Sequence, residues 1–325
     1  MTNDTPIISF CIPTYNREKY LTKSIDAIVS QLTDKIKNQI ELVVSDNAST
    51  DSTRKLVENY IFSRPDQNIR LVSNHINVGM DGNFLNCFKS AKGKFVCLVS
   101  DDDFLLPGSV ENILKILSSY PDIGGIFLNS FEMKGGAEEI EGLCHDPNES
   151  LQRISSRIFH LGGLLFKREI FFQKEYEQLD GCIIVQSYVF LDVLMDKKGI
   201  YFPSKRFFEI TENNSSGGYS FFSVFVTSYC NLMDYALKIG FLPDAVNKVK
   251  LQHLKHFLIP FIVDFRLNNS HINVTKHYRE GFKLIVSRYG LIPPVFWGVA
   301  PAVFAPRIFW ISVRVVVRLM RCISH

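Results

Sequence analysis

The chain has no pair of cysteines in CxxC spacing, no run of about 20 apolar residues and no real surplus of either charge. Its seven cysteines, Cys11, Cys87, Cys97, Cys144, Cys182, Cys230 and Cys322, are odd in number, and several lie inside apolar runs. That usage excludes a disulfide scaffold and reads as reduced and intracellular. The missing apolar run argues against a spanning helix, and the opening MTNDTPIISF has neither the basic start nor the apolar core of an export signal. The expectation is a protein kept in the cytoplasm. Lys and Arg total 36 against 33 Asp and Glu, too even a balance for a dedicated nucleic-acid binder.

What is present is enough apolar material for a real core: 325 residues, 46% of them hydrophobic and 21% charged, which fits one large domain or two ordinary ones. In the first half, short β-branched or aromatic runs alternate with helical patterns. Residues 7–12, 40–45, 69–72, 95–100 and 123–128 read as strands buried on both faces. Leu21, Ile25, Ile28 and Leu32 recur at helical spacing after an Asn16 cap, and Leu56, Val57, Tyr60 and Ile61 follow the capping series Ser49, Thr50, Asp51. Strand–helix alternation predicts an α/β fold with a mostly parallel sheet. Beyond about Gly135 the pattern loosens. A mixed stretch with a helical run from Val185 to Met195 follows, then TENNSSGGYSFF, and residues 224–285 read as helices.

In parallel sheets ligands sit at the carboxyl ends of the strands, and the unusual polar residues of this chain are there. PTYNR (Pro13 to Arg17) follows the first strand, DNASTD (Asp46 to Asp51) the second, and Asp101, Asp102 and Asp103 the fourth. Three adjacent carboxylates repel one another unless a cation or a hydrogen-bond network takes up the charge. An aromatic face, a cation, a carboxylate for a base or ribose edge and carboxylates for a divalent ion together suit a nucleotide diphosphate. An Asp-rich turn that merely caps a helix is the plain alternative, and DNASTD serves as a cap in either case.

Taken together, ISFCIPTYNR, ELVVSDNASTDST, NVGMDGNF, GKFVCLVSDDD and the LLPG that follows resemble a family 2 glycosyltransferase of the GT-A fold over roughly residues 6–135. The spacing of NVGMDGNF, the SDDD and the later ENNSSGGYSFF are most similar to bacterial O-antigen transferases of the abequosyltransferase type. The resemblance implies a GT-A domain over 1–215, a helical region over 216–290 and an amphipathic segment over 291–325. It implies a base and ribose lying against Pro13, Tyr15 and Asp46, with Arg17 near the diphosphate, and assigns Asn77 and Asn83 to the same donor site, although both could serve only to shape a loop. The DxD of the family falls on Ser100 to Asp102. Asp102 is then the direct ligand of Mg²⁺ or Mn²⁺, and Asp101 a ribose or diphosphate–metal contact.

The chain departs from the family where many members carry a Glu–Asp pair, because IVQSYVFLDVL puts Gln186 and Ser187 there and neither can be a general base. Asp180, then Asp103, then Asp192 are the replacements in that order. His75, His160 and the C-terminal histidines have no ligand spacing and read as structural or surface groups.

From Gly281 to the end no Asp or Glu occurs, and at about 100° per residue Arg307, Arg314, Arg318 and Arg321 share one face opposite Ile308, Phe309, Val313, Val316 and Leu319. That pattern suits a helix lying on an anionic membrane surface, or equally a docking helix against the catalytic domain or a second subunit. The combined expectation is a single-sugar transferase on the inner face of the cytoplasmic membrane. It takes a UDP-, CDP- or dTDP-linked sugar, a deoxyhexose by the abequosyltransferase resemblance, to a polyprenyl-diphosphate-linked oligosaccharide in surface polysaccharide synthesis. A processive synthase is disfavoured because neither QxxRW nor a spanning helix occurs. A sugar nucleotidyltransferase is disfavoured because the first loop, CIPTYNR, has no glycine. An inactive nucleotide-sugar-binding scaffold remains the non-enzyme alternative, and no oligomeric state is implied.

Overall fold

A computed structural model describes residues 5–128, 141–179, 181–196, 198–209, 220–268, 278–290, 292 and 295–304. Asp180 and the arginine-bearing stretch 305–325 lie outside the described residues, so neither the first-ranked base nor the amphipathic helix is addressed by it. The chain divides into two compact units, Met1–Asn214 and Ser215–His325.

The first unit is built on an eight-stranded sheet. In chain order its elements begin β1 (Ile8–Thr14), α1 (Leu21–Val29), β2 (Ile40–Asp46), α2 (Thr53–Phe62), β3 (Ile69–Ser73), α3 (Gly79–Ser90), β4 (Phe95–Leu98), a short β5 (Phe104–Leu105), α4 (Ser109–Ser119) and β6 (Gly125–Phe127). They continue with β7 (Gly142–Cys144), α5 (Pro147–Ile154), β8 (Leu164–Lys167), α6 (Arg168–Phe171), α7 (Val185–Met195), β9 (Ile200–Phe202) and β10 (Phe208–Glu209). The order across the sheet is β3-β2-β1-β4-β8-β6-β9-β7, and β10 pairs with β5 in a separate two-stranded ribbon.

The β3-β2-β1-β4 half is parallel, as the strand–helix alternation predicts. The other half is not. β8 runs antiparallel to β4 and separates it from β6, the fifth expected strand. The sheet is still mostly parallel: β6 and β9 run in the direction of the first four strands, and only β8 and β7 are reversed. β8 is only four residues long, in a region whose pattern had loosened.

β1 and β2 are buried over their full length because helices cover both faces. α1 buries Leu21, Ile25 and Ile28, each contributing about 1.5–3 kcal/mol. Asn16 is not its cap. α1 starts at Leu21, and Asn16, at φ 54°, instead accepts the Thr50 amide at 2.8 Å. Asp51 does cap α2, its Oδ1 accepting the Thr53 amide at 2.9 Å. Gly93 is required where the chain enters β4, since a Cβ there would lie 2.6 Å from the Ser9 nitrogen.

One buried charge locks this half of the sheet. Glu41, 1% exposed, lies in the middle layer, where its Oε1 accepts from Arg70 Nε at 2.8 Å and its Oε2 accepts from the Lys92 amide at 2.8 Å and from the Ser9 hydroxyl. Arg70 also reaches the Ser90 carbonyl at 2.5 Å, tying β3 to the end of α3. Arg70→Ala is expected to cost about 2–4 kcal/mol, less than the roughly 3–5 kcal/mol for breaking a fully buried pair, because the Arg70 side chain is 31% exposed and water can reach the gap. Urea denaturation reads it, and adding Glu41→Gln to Arg70→Ala should recover part of the loss. A change under 0.5 kcal/mol would mean that Ser9 and the Lys92 amide suffice.

The second unit is helical: α8 (Tyr229–Ile239), α9 (Pro243–His253), α10 (Ile259–Asn268), α11 (Tyr278–Tyr289) and α12 (Ala300–Phe304), with π-helical turns at Ser223–Ser228, Leu254–Leu258 and Val295–Val299. Its core joins aliphatic side chains such as Val226, Leu254, Ile262 and Val299 to a group of aromatic rings. Phe221 stacks on Phe261 at 4.3 Å between ring centres, and His253 lies 3.8 Å from the Tyr229 ring and 5.0 Å from Phe257. His253 is fully buried and donates Nε2–H to the Phe225 carbonyl at 2.9 Å. Burial holds its pKa down at about 4, against the 6.5 of a free histidine.

The unfolded chain therefore binds the proton more tightly than the folded one, so stability is complete above pH 6.5 and is lost as the pH falls toward 4. Lowering the pH from 7 to 5 should cost about 2 kcal/mol through this residue. His253→Gln should flatten the profile of melting temperature against pH in that window; an unaltered slope would reject the assignment.

Candidate active site

The loops after β1 and β2 are closed onto each other by their own polar groups. Thr14 pairs with Asp46 across the two strands, and the Asn47 amide bonds the Thr14 carbonyl at 2.9 Å. Beyond the strands, the Asn16 amide donates to Ser49 Oγ at 2.9 Å and the Arg17 amide to Thr53 Oγ1 at 2.9 Å. Pro13 closes the end of β1, and Tyr15 stands 42% exposed at the tip of the first loop. Asp46 is buried, and its Oδ1 accepts the Ser49 amide at 3.1 Å.

Asn77 and Asn83 hold this region together. Asn83 is buried, accepting from the Ser45 hydroxyl at 2.7 Å and donating to the Ser45 carbonyl at 3.0 Å. Asn77 accepts from the Asn47 side chain at 2.9 Å and from the Gly79 amide at 2.9 Å. Asn47, which the sequence reading did not single out, is the hub: it also donates to the Gly79 carbonyl at 3.0 Å and accepts the Val78 amide at 3.0 Å.

The three aspartates after β4 diverge, which is how the fold accommodates them. Asp101 turns toward the first loop, taking the Thr14 hydroxyl on Oδ2 at 3.0 Å and facing Arg17 Nε at 3.5 Å from Oδ1. Burial pushes its carboxyl up to about 6; Arg17 opposes the rise and the Asp102 charge adds to it. Asp102 accepts from the Ser100 hydroxyl. Asp103 faces His160 Nε2 at 3.3 Å. Ser24 of α1 fixes the turn from behind by donating to the Ser100 carbonyl at 2.9 Å.

His160, read from sequence as a structural or surface group, is thus placed against the aspartate turn. Its ring edge packs on Phe208 with 5.6 Å between ring centres. Its Nδ1 is buried with no hydrogen-bond partner among the described residues, so a proton there has no acceptor. The neutral ring then carries its hydrogen on Nε2 and donates it to Asp103. No spacing in the sequence could have found this pair, which is made by residues 57 positions apart.

The start of α7 carries Gln186 and Ser187, both buried. Ser187 Oγ donates to the Ile158 carbonyl at 2.9 Å and Gln186 Nε2 to the Phe159 carbonyl at 3.4 Å. Asp192, further along the helix, is bonded by Lys174 Nζ at 2.5 Å and Tyr176 Oη at 2.6 Å, neither of them in the loops just described.

Carboxylate oxygens on a polar turn suit a hard divalent cation. Asp101 is engaged with Thr14 and Arg17 and Asp102 with Ser100, and Asp102, at the last position of the DxD, would be the protein ligand of such an ion. Such an ion, when bound, neutralises charge on a departing diphosphate.

A mostly parallel sheet with two reversed strands, and with an aspartate turn and two polar loops at its carboxyl ends, is the GT-A glycosyltransferase architecture. Solved structures share it: Staphylococcus aureus TarS 1–349 in complex with UDP-GlcNAc has a TM-score of 0.62 at 17% identity, covering 94% of this chain and 91% of that one. The mannosyltransferase PcManGT of Pyrobaculum calidifontis, in complex with GDP-Man and Mn²⁺, has a TM-score of 0.59 at 17% identity, covering 96% and 87%. The chain belongs to Glycosyl transferase family 2, whose profile matches residues 9–172, half of the sequence.

Among curated relatives, the abequosyltransferase RfbV of Salmonella typhimurium is 37% identical over 119 residues, 36% of this chain and 34% of the relative. A GalNAc(5)-diNAcBac-PP-undecaprenol beta-1,3-glucosyltransferase of Campylobacter jejuni is 34% identical over 111 residues, 34% of each chain. The matched stretch spans about a third of each of these relatives.

Proposed function

We propose that this family 2 glycosyltransferase moves one sugar from a nucleotide-diphosphate donor to a lipid-linked oligosaccharide in bacterial surface polysaccharide synthesis. The observation that carries the reading is the gathering of Thr14–Arg17, Asp46 and Asp101–Asp103 at the carboxyl ends of β1, β2 and β4, the ligand position of such sheets. Tyr15 offers an exposed ring for the base, Asp46 a carboxylate for a base or ribose edge, and Arg17 a cation near the diphosphate. Asp102 holds Mg²⁺ or Mn²⁺. Asp103 takes the proton of the attacking hydroxyl, with His160 fixing its carboxylate. The names of the Salmonella and Campylobacter relatives, an abequosyltransferase and an undecaprenol-linked glucosyltransferase, support a polyprenyl-linked acceptor and a deoxyhexose as one possible donor sugar.

No helix of the described residues is long and apolar enough to cross a membrane. We place the protein on the inner face of the cytoplasmic membrane through the arginine-faced segment 307–321, with a GT-A domain over 1–215 and a helical region over 216–290. Calorimetry of UDP, CDP, dTDP and GDP with and without Mn²⁺ tests the catalytic reading. One of the four should bind only when the metal is present. The matching nucleotide-sugar should then be hydrolysed slowly without acceptor to nucleoside diphosphate and free sugar, which an inactive scaffold cannot do; a nucleotidyltransferase would instead cleave it with pyrophosphate to nucleoside triphosphate and sugar 1-phosphate. Failure of all four to bind in Mn²⁺ would reject the reading.

A further inference from the structure

Asp81 belongs to the NVGMDGNF stretch but to no role assigned so far. It sits on the first turn of α3, is 2% exposed, and spends both carboxylate oxygens on a segment more than 100 residues away. Oδ2 accepts the Ile183 amide at 2.6 Å and Oδ1 the Val185 amide at 3.0 Å. These bonds do what α7 cannot do for itself, because its own N-cap, Ile184, makes no side-chain capping bond. A carboxylate there also faces the positive end of the helix.

The segment it holds is one that the chain would not adopt unaided. Gly181 and Ile183 have φ of 86° and 67°. Glycine takes the left-handed region freely, whereas a β-branched residue in it is a genuine outlier that persists only where its surroundings force it. The Ile183 amide bond to Asp81 is that force.

Both ends of the arrangement lead to the site. On the donor side, the loop that opens α3 is pinned by Asn47 through Val78 and the Gly79 carbonyl, and Asn47 directly follows Asp46. On the other side, the first turn of α7 is tied by Ser187 and Gln186 to the carbonyls of Ile158 and Phe159, next to His160, which holds Asp103. A single buried carboxylate thus joins the loop expected to hold the nucleotide to the segment beside the expected proton acceptor.

We propose that Asp81 is a positioning residue that holds the Gly181–Ile184 turn in its strained form and couples that turn to occupancy of the nucleotide site. It touches neither substrate. It acts through Ile183 and Val185 on the acceptor side and through the anchored first turn of α3 on the donor side. The inference rests on the transferase reading above, and its test separates the two.

Hydrogen exchange of the Ile183 and Val185 amides is measured on the full chain, with and without Mn²⁺ and whichever of UDP, CDP, dTDP and GDP binds. In the wild-type chain both amides should exchange slowly, and the nucleotide should slow them further by at least threefold. Asp81→Asn keeps the shape but presents an NH₂ to one of the two amides. It should speed exchange at least tenfold and abolish the nucleotide-dependent protection, while nucleotide affinity stays within threefold. Adding Ile183→Gly, which takes the left-handed conformation without strain, should restore most of the protection. Where Asp81→Asn folds poorly, Asp81→Glu should show the same pattern at smaller size.

Unchanged exchange in Asp81→Asn, protection by nucleotide that survives the substitution, or no rescue by Ile183→Gly would each overturn the proposal. A wild-type chain that binds none of the four nucleotides in Mn²⁺ would remove the parent reading and this one with it. A wild-type chain that binds nucleotide without slowing these amides would overturn the coupling alone.

Discussion

Asp102→Ala is expected to lower sugar transfer by about 10³-fold and to erase the Mn²⁺ dependence of nucleotide binding. A cation bridging a diphosphate is worth several kcal/mol in the transition state, and about 4 kcal/mol corresponds to three decades of rate. The size rests on Asp102 standing at the last position of the family's DxD, while Asp101 faces Thr14 and Arg17 and Asp103 faces His160. Asp101→Ala makes the contrast. Its oxygens face Thr14 and Arg17, so its loss should loosen the first loop and raise the nucleotide Kd while leaving the metal requirement in place. Titrating Mn²⁺ into each variant at fixed nucleotide separates the two effects. Metal-stimulated binding that survives in Asp102→Ala and disappears in Asp101→Ala would exchange the two roles.

The parts of this site that were legible from sequence are those in which local chemistry dictates position. β1, β2 and β4 announce themselves because strands covered on both faces are nearly continuous apolar runs, interrupted here chiefly by Ser9 and Glu41, so the polar loops that follow mark the carboxyl edge of the sheet. The aspartate triple was readable as a place for the same reason. Which way each carboxylate turns was not, because Thr14, Ser100 and His160 decide it from three different segments. β8 was missed because LLFK is too short to carry a period, and its place between β4 and β6 is set by pairing with strands about 70 and about 40 residues earlier in the chain. Asn16 looked like a helix cap because its type allows it. In the fold it holds the second loop instead, a competition that asparagine side chains settle by tertiary context.

Asp103→Asn should reduce kcat by about 10²- to 10⁴-fold, the range for losing a positioned proton acceptor, with little change in the donor KM. The substitution is a clean one in this environment. The asparagine oxygen can still accept the His160 Nε2 hydrogen, so the turn keeps its geometry and loses only a basic oxygen. His160→Gln, which retains a donor, should lose less than His160→Phe, which keeps the ring against Phe208 but leaves Asp103 without that bond. Asp192→Asn is the control within the same set of candidates. Its carboxylate is committed to Lys174 and Tyr176, so the expected cost is in stability, with kcat within a fewfold of wild type. If Asp192→Asn abolished turnover in a folded protein and Asp103→Asn did not, the proton would leave along α7 and the pairing of Asp103 with His160 would be structural only. If both variants turned over normally, Asp180 would inherit the role.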